Sequence, residues 1–371
     1  QKLVPVINLL LNWTFYANSV HTFNIRVAST ELLKAYFSGN LLLQSNFLTL
    51  QIETYNKFVN PIELSSSVET NTEEKGKAET DSTVDYTNIK SNLFEVILSY
   101  DPDLNLNPYK VYFAADILMY LLQLENDCDM DLRKLIKQIN TENNIEDEEP
   151  LNVIQTVTEL LLTTLTIQDI RIPISYISLL VFWLYGDSAA VDDFLSNKST
   201  LESLLSFSYQ IQDEDITIKC LVTILLGVAY EFSSKDSPFP RKEYFEFITK
   251  KMGKDNYLSR VKQFKEKSLF AKTKVHFDIF NPTLDETGLP QLYFTSYFVT
   301  MFNDNFYRIK TALAHNPDEE PITKLSFEVF EDLQQNCTNL KNELETIQEE
   351  NKDVTSDLKR KLEKLSQEHH N

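Results

Sequence analysis

The stretch FEDLQQNCTNLKNELETIQEENKDVTSDL, residues 330–358, sets its apolar side chains alternately three and four apart. Phe330, Leu333, Cys337, Leu340, Leu344, Ile347, Val354 and Leu358 keep that spacing, Asn351 stands in the same register, and Leu365 falls one heptad beyond Leu358. A 3.5-residue period holds a narrow seam on one side of a helix, and a seam that narrow is covered by a partner helix. Phe330, Cys337, Leu344, Asn351, Leu358 and Leu365 take position a, and Leu333, Leu340, Ile347 and Val354 take position d. The polar Asn351 at an a position favours a parallel, in-register homodimer. Lys361 at d, beside Leu362, predicts a stutter or a frayed end. The competing reading is one amphipathic helix folded back on the rest of the chain, which needs a broader apolar stripe than this. Cys337 reads as a small reduced hydrophobe.

Upstream of the heptads, Asn316-Pro317-Asp318-Glu319-Glu320-Pro321 reads as a hinge spanning 316–324, with the coiled coil over 325–371. Before it, over 1–315, apolar residues recur in short runs at helical spacing, as in Ile25, Ala28, Leu32, Ala35 and Tyr36, or Val111, Ala115, Leu118 and Leu122. Asn107-Pro108, Glu149-Pro150 and Phe239-Pro240 place proline at a first helical position, and Ser199 with Glu202 has the pattern of a capping box. The spacing predicts about a dozen helices before residue 270. A bundle of that many is unusual, so the expected fold is all-α: an armadillo- or HEAT-like solenoid, degenerate because no repeat signature is legible, followed by a parallel coiled coil. Ile216 to Tyr230 is apolar nearly all round and predicts an inner, buried helix. Gly227 within it costs about 1 kcal/mol of helix propensity, which a close helix crossing would offset. The polar, acidic stretches 65–85 and 140–149 are expected to be disordered loops.

Composition narrows the function classes. Six glycines in 371 residues leave little material for phosphate-cradling loops. The formal net charge of −20 repels nucleic acid and anionic lipid. Cys128, Cys220 and Cys337 are far apart and suggest neither a disulfide framework nor a zinc site. The longest apolar runs, Tyr176 to Tyr185 and Cys220 to Tyr230, fall short of the ~20 residues that span a bilayer. Both ends read as cuts within a longer chain. His21, His276, His315, His369 and His370 form no metal-ligand spacing, and no nucleophile motif or phosphate loop occurs. No metal, cofactor or enzymatic activity is therefore expected. Tyr293, Phe294, Tyr297, Phe298, Phe302, Phe306 and Tyr307 share a predicted helix and read as core, or else as a partner- or membrane-facing groove. Lys250, Lys251, Lys254, Arg260, Lys262, Lys265 and Lys267 are the one basic cluster, readable as a docking surface or as a solvated face.

Several segments, taken in order, carry a resemblance. They are Asn24-Ile25-Arg26-Val27-Ala28, then Leu225-Leu226-Gly227-Val228-Ala229-Tyr230-Glu231-Phe232, then Arg241 leading into Met252-Gly253-Lys254-Asp255-Asn256-Tyr257 with Arg260 and Phe264, and last Tyr307-Arg308-Ile309. Together they resemble the later part of the head of the general vesicular transport factor family, long coiled-coil tethers of the ER-to-Golgi pathway. The resemblance covers about residues 1–310 and the first heptads of the stalk. It implies an armadillo-like head, a homodimer, and a non-catalytic tether that links vesicle to target through a Rab-type GTPase and SNARE proteins. It also implies a cytoplasmic protein held peripherally on Golgi, ER-derived vesicle and ER–Golgi intermediate membranes. The rival reading is a helical-repeat adaptor or transport receptor dimerised by a short coiled coil.

Overall fold

Thr217 to Phe232 is a continuous run of buried residues, so the helix carrying it is surrounded on every side. The structure, a computed structural model, describes residues 5–18, 22–59, 91–123, 132–139, 151–209, 216–273, 282–319 and 327–368. Sixteen α-helices occupy these residues. They are α1 (Val6–Tyr16), α2 (Phe23–Phe37), α3 (Leu41–Val59), α4 (Leu93–Leu98), α5 (Tyr109–Leu121), α6 (Leu132–Ile136), α7 (Val153–Thr164), α8 (Arg171–Leu184), α9 (Ser188–Leu195), α10 (Lys198–Tyr209), α11 (Ile216–Phe232), α12 (Arg241–Lys251), α13 (Lys254–Lys267), α14 (Ser296–Asp304), α15 (Phe306–Thr311) and α16 (Phe327–Glu368). An isolated antiparallel bridge, Leu284 to Pro290, is the only strand-like pairing among the described residues. The acidic stretches 65–85 and 140–149, and the hinge from residue 320 to 324, lie outside them.

The chain divides into two units, Gln1–Pro321 and Ile322–Asn371. In the first, contacts run with a period of three helices: α2 packs on α5, α5 on α8 and α8 on α11, while α4 packs on α7 and α7 on α10. Neighbours pair as well, α1 with α2, α4 with α5, α7 with α8 and α10 with α11. The central helices of this series, α5, α8 and α11, are buried along almost their whole length, as their near-continuous apolar sequences require. Val111, Ala115, Leu118 and Leu122 all lie in the core, as their spacing predicts. The second unit is α16, a single helix of 42 residues.

Three local expectations are corrected. Ile25, Ala28, Leu32, Ala35 and Tyr36 of α2 face outward, and the buried face carries Phe23, Arg26, Val27, Thr30, Leu33, Lys34 and Phe37. Its charges are satisfied where they sit. Arg26 donates to the carbonyl of Thr14 and to Asn107 Oδ1, each at 2.8 Å, and Lys34 Nζ lies 2.9 Å from Asp116 Oδ2. Prolines 108 and 240 stand one residue before their helices, at the N-cap, and α7 starts instead at a capping box between Asn152 and Gln155. Ser199 lies inside α10, whose first turn is closed by the Thr200 amide donating to Asn197 Oδ1.

Candidate partner-binding surfaces

Arg241 opens α12 by closing α11. Its guanidinium donates to the carbonyls of Tyr230, Glu231 and Ser233, groups that the end of a helix leaves without internal partners, and it stacks on the Tyr230 ring. Gly253, at φ 77°, turns the chain from α12 into α13 in the left-handed region that glycine adopts freely. Helix α13 then lays Tyr257, Val261 and Phe264 against the core. Phe264 meets Phe270, Phe294, Phe298 and Phe302 in a cluster of mostly edge-to-face rings. The aromatic run is not one helix: Tyr293 and Phe294 precede α14, Tyr297, Phe298 and Phe302 lie in it, and Phe306 and Tyr307 open α15. Phe294, Phe298 and Phe302 are core, and Tyr307 is 73% exposed.

With Tyr257, Val261 and Phe264 fixed inward, the lysines of α13 and of the end of α12 stay at the surface. Lys250, Lys251, Lys254, Lys262 and Lys267 are exposed, and Lys265 is half-buried. Among the described residues none of the six has a carboxylate partner. Several are held over rings: Lys254 Nζ lies 4.8 Å from the Phe245 centroid, Lys265 Nζ lies 3.9 Å from that of Phe306, and Lys251 Nζ lies 6.0 Å from that of Tyr209. Arg260 stands apart from them. It is half-buried and donates to the Ser208 carbonyl and to Thr223 Oγ1, tying α13 to α10 and α11. Lys310, which sequence reasoning missed, joins the group through Phe306, its neighbour one turn earlier, at 5.6 Å.

Below this face, Glu231 near the end of α11 is buried and takes two partners. Arg308 Nε donates to Oε1 and His315 Nδ1 lies near Oε2, both at 2.7 Å. The pair fastens the last turns of the first unit onto α11. A cavity of about 240 Å³ is lined in part by Arg133, Asn152, Trp183, Asp187 and Asp193. Its polar groups serve one another: Arg133 donates to the Trp183 carbonyl and Asp187, and Lys137 pairs with Asp193. Among the described residues no cluster of three His, Cys, Asp or Glu side chains could hold a metal, and no helix is long and apolar enough to cross a membrane.

On α16, Leu340, Leu344, Ile347, Val354 and Leu358 are 56–62% exposed, and Asn351 is exposed with them. These side chains occupy the heptad register, and within α16 they cover nothing. Phe330, Leu333, Cys337 and Leu365 stand in the same helix, but their side chains lie outside what is described.

Residues 1–313 match the family model described as the head region of Uso1/p115-like vesicle tethering proteins. The chain belongs to the Uso1/p115-like vesicle tethering family. Over 97% of its length it is 54% identical to the intracellular protein transport protein USO1 of Saccharomyces cerevisiae, and over 54% it is 25% identical to the uso1 protein of Schizosaccharomyces pombe. It spans about a fifth of each, 21% and 20%. Two crystal structures, titled Uso1-2 and Uso1-1, each align with 85% of the chain, at TM-scores of 0.74 and 0.72 and identities of 54% and 53%, over 43% and 44% of their own chains. The all-helical fold is therefore that of the Uso1 head structures, and the family assignment agrees with the resemblance carried by the segments from Asn24 to Ile309.

Proposed function

We propose that this chain is the later part of the head and the first stretch of the stalk of a dimeric vesicle tether acting between the ER and the Golgi. The observation that carries the reading is the apolar heptad seam of α16, which stands exposed along a helix of 42 residues. Such a seam is stable in water when a second copy covers it, and the Asn351 position favours the parallel arrangement. The head reads as an armadillo-like solenoid, supported by the three-helix period of its contacts: α5, α8 and α11 follow one another as inner helices, and α2 packs on the first of them. A rod adds reach at about 1.5 Å per residue, and a stack of helices offers a firm surface for docking, which are the two properties a tether needs.

No chemistry enters this role. The chain acts by holding a Rab-type GTPase and SNARE proteins of the early secretory pathway, peripherally on Golgi and vesicle membranes, with no cofactor. Binding of an early-secretory Rab to the 371-residue chain, compared in the GTP and GDP forms by calorimetry, tests the reading. Preference for the GTP form is expected, and equal affinity for the two counts against it.

A further inference from the structure

Residues 241–272 carry ten Lys or Arg against four Asp or Glu, on a chain with 35 of the former and 55 of the latter. The bias is spatially ordered. At 3.6 residues per turn, Lys254, Lys262 and Lys265 fall within roughly 80° of arc on α13, with Leu258 between them. Tyr257, Val261 and Phe264 fill the adjoining arc on one side and lie in the core, and the exposed Asp255 and Glu266 border the stripe on the other. Lys250 and Lys251 end α12 just before it in sequence, and Lys310 shares the Phe306 ring with Lys265. Among the described residues none of these lysines has a carboxylate partner, whereas Lys34, Lys110, Lys137 and Lys242 elsewhere on the first unit are paired.

We propose that the lysine stripe of α13 docks an acidic helical segment of a partner protein. From Lys254 to Lys265 the stripe runs about 16 Å along the helix axis, and the ammonium groups follow steps of eight and three residues. Carboxylates at i, i+8 and i+11 on a helix lying alongside would meet all three. Lys254 and Lys265 are steadied over Phe245 and Phe306, which reduces the side-chain freedom lost on binding. An anionic membrane fits less well, because a flat negative surface would also confront the rest of a chain whose net charge is −20. Encounter is steered over roughly a Debye length, about 8 Å at physiological salt.

The test uses the whole 371-residue chain and a fluorescein-labelled, Ala-based helical peptide with Glu at i, i+4, i+8 and i+11, beside its Gln counterpart and vesicles containing phosphatidylserine. Fluorescence anisotropy should show saturable binding of the Glu peptide that weakens with added salt, and no comparable binding of the Gln peptide. Reversing Lys254→Glu, Lys262→Glu and Lys265→Glu together should weaken it at least tenfold or so. Neutralising the same three to Gln should weaken it less, and reversing Lys235, Lys352 and Lys359 elsewhere should leave it unchanged. Binding that fails to saturate, that the Gln peptide matches, or that survives the α13 reversal overturns the proposal. Vesicle binding abolished by the same reversal overturns it in favour of a membrane. Dimerisation through α16 stands or falls separately.

Discussion

Tyr257 crosses α11 directly over Gly227, so close that a β-carbon at residue 227 would lie within the volume of the tyrosine ring. The ring passes through the gap, and its hydroxyl donates to the Ile309 carbonyl at 2.5 Å. The missing side chain in α11 thereby joins three helices: α11, α13 and α15 meet at one point, with the lysine stripe on the outer side of α13.

Gly227→Ala therefore has a sign that separates two accounts. Helix propensity alone predicts a gain of about 1 kcal/mol. The crossing predicts a loss of about 2–3 kcal/mol, because the ring must withdraw and leave its hydrogen bond. Urea denaturation gives the sign. Tyr257→Phe should cost only about 1 kcal/mol, and in the double variant the two losses should sum to less than their total, since one contact is removed twice.

Arg171 and Asp285 supply a pH dependence. The Arg171 guanidinium is buried, bonded to Asp169, Asp285 and the Pro290 carbonyl, and sits between the Tyr109 and Tyr293 rings. Partial burial works to raise the Asp285 pKa, but hydrogen bonds from Thr287, Arg171 and the Leu289 amide outweigh it and hold the carboxyl at about 2, below its ordinary 3.8. A depressed folded-state pKa adds stability that is present above the unfolded value and is lost as pH falls through the folded one. Asp285→Asn should lower stability by about 1–2 kcal/mol at neutral pH. Thermal melts should show that gap closing as pH drops from about 4 toward 2.

Glu231→Gln removes the charge shared by Arg308 and His315. Glu231 is the buried member and its two partners reach solvent, so the cost is that of weakening two hydrogen bonds to a carboxylate, about 1–2 kcal/mol. This contact helps hold the turns from Phe306 to Asn316, together with the hydroxyls of Tyr257 and Tyr230, so hydrogen exchange should rise there first and leave α5 and α8 protected. Uniform loss of protection across the head would mean the contact is not local.

Much of this was legible in the sequence, and the failures have physical causes. Helix α11 is buried all round, so no face had to be chosen, and a close helix crossing was the simplest reading of its glycine, ahead of one that faces a ligand. Helix α2 went the other way: Ile25, Leu32 and Tyr36 form a credible apolar stripe yet stand exposed, while Arg26 and Lys34 are inside. Periodicity finds a stripe but cannot see Thr14, Asn107 and Asp116, the distant groups that make burial of two cations tolerable. The basic cluster was visible as composition. That Arg260 leaves it for the Ser208 carbonyl, and that Lys310 joins it through Phe306, depends on contacts about 40 to 50 residues apart in sequence, between 208 and 260 and between 265 and 306.

The heptad seam is the feature on which the tether rests, and sedimentation equilibrium of the chain beside its Leu340→Pro, Leu344→Pro double variant tests it most directly. Each proline removes a helix hydrogen bond at a cost of about 3 kcal/mol inside α16. The account predicts twice the chain mass of 43.1 kDa for the parent and a single chain mass for the variant, with head helicity unchanged by circular dichroism. A parent that sediments as one chain at micromolar concentration, or a dimer that the two prolines leave intact, would contradict it.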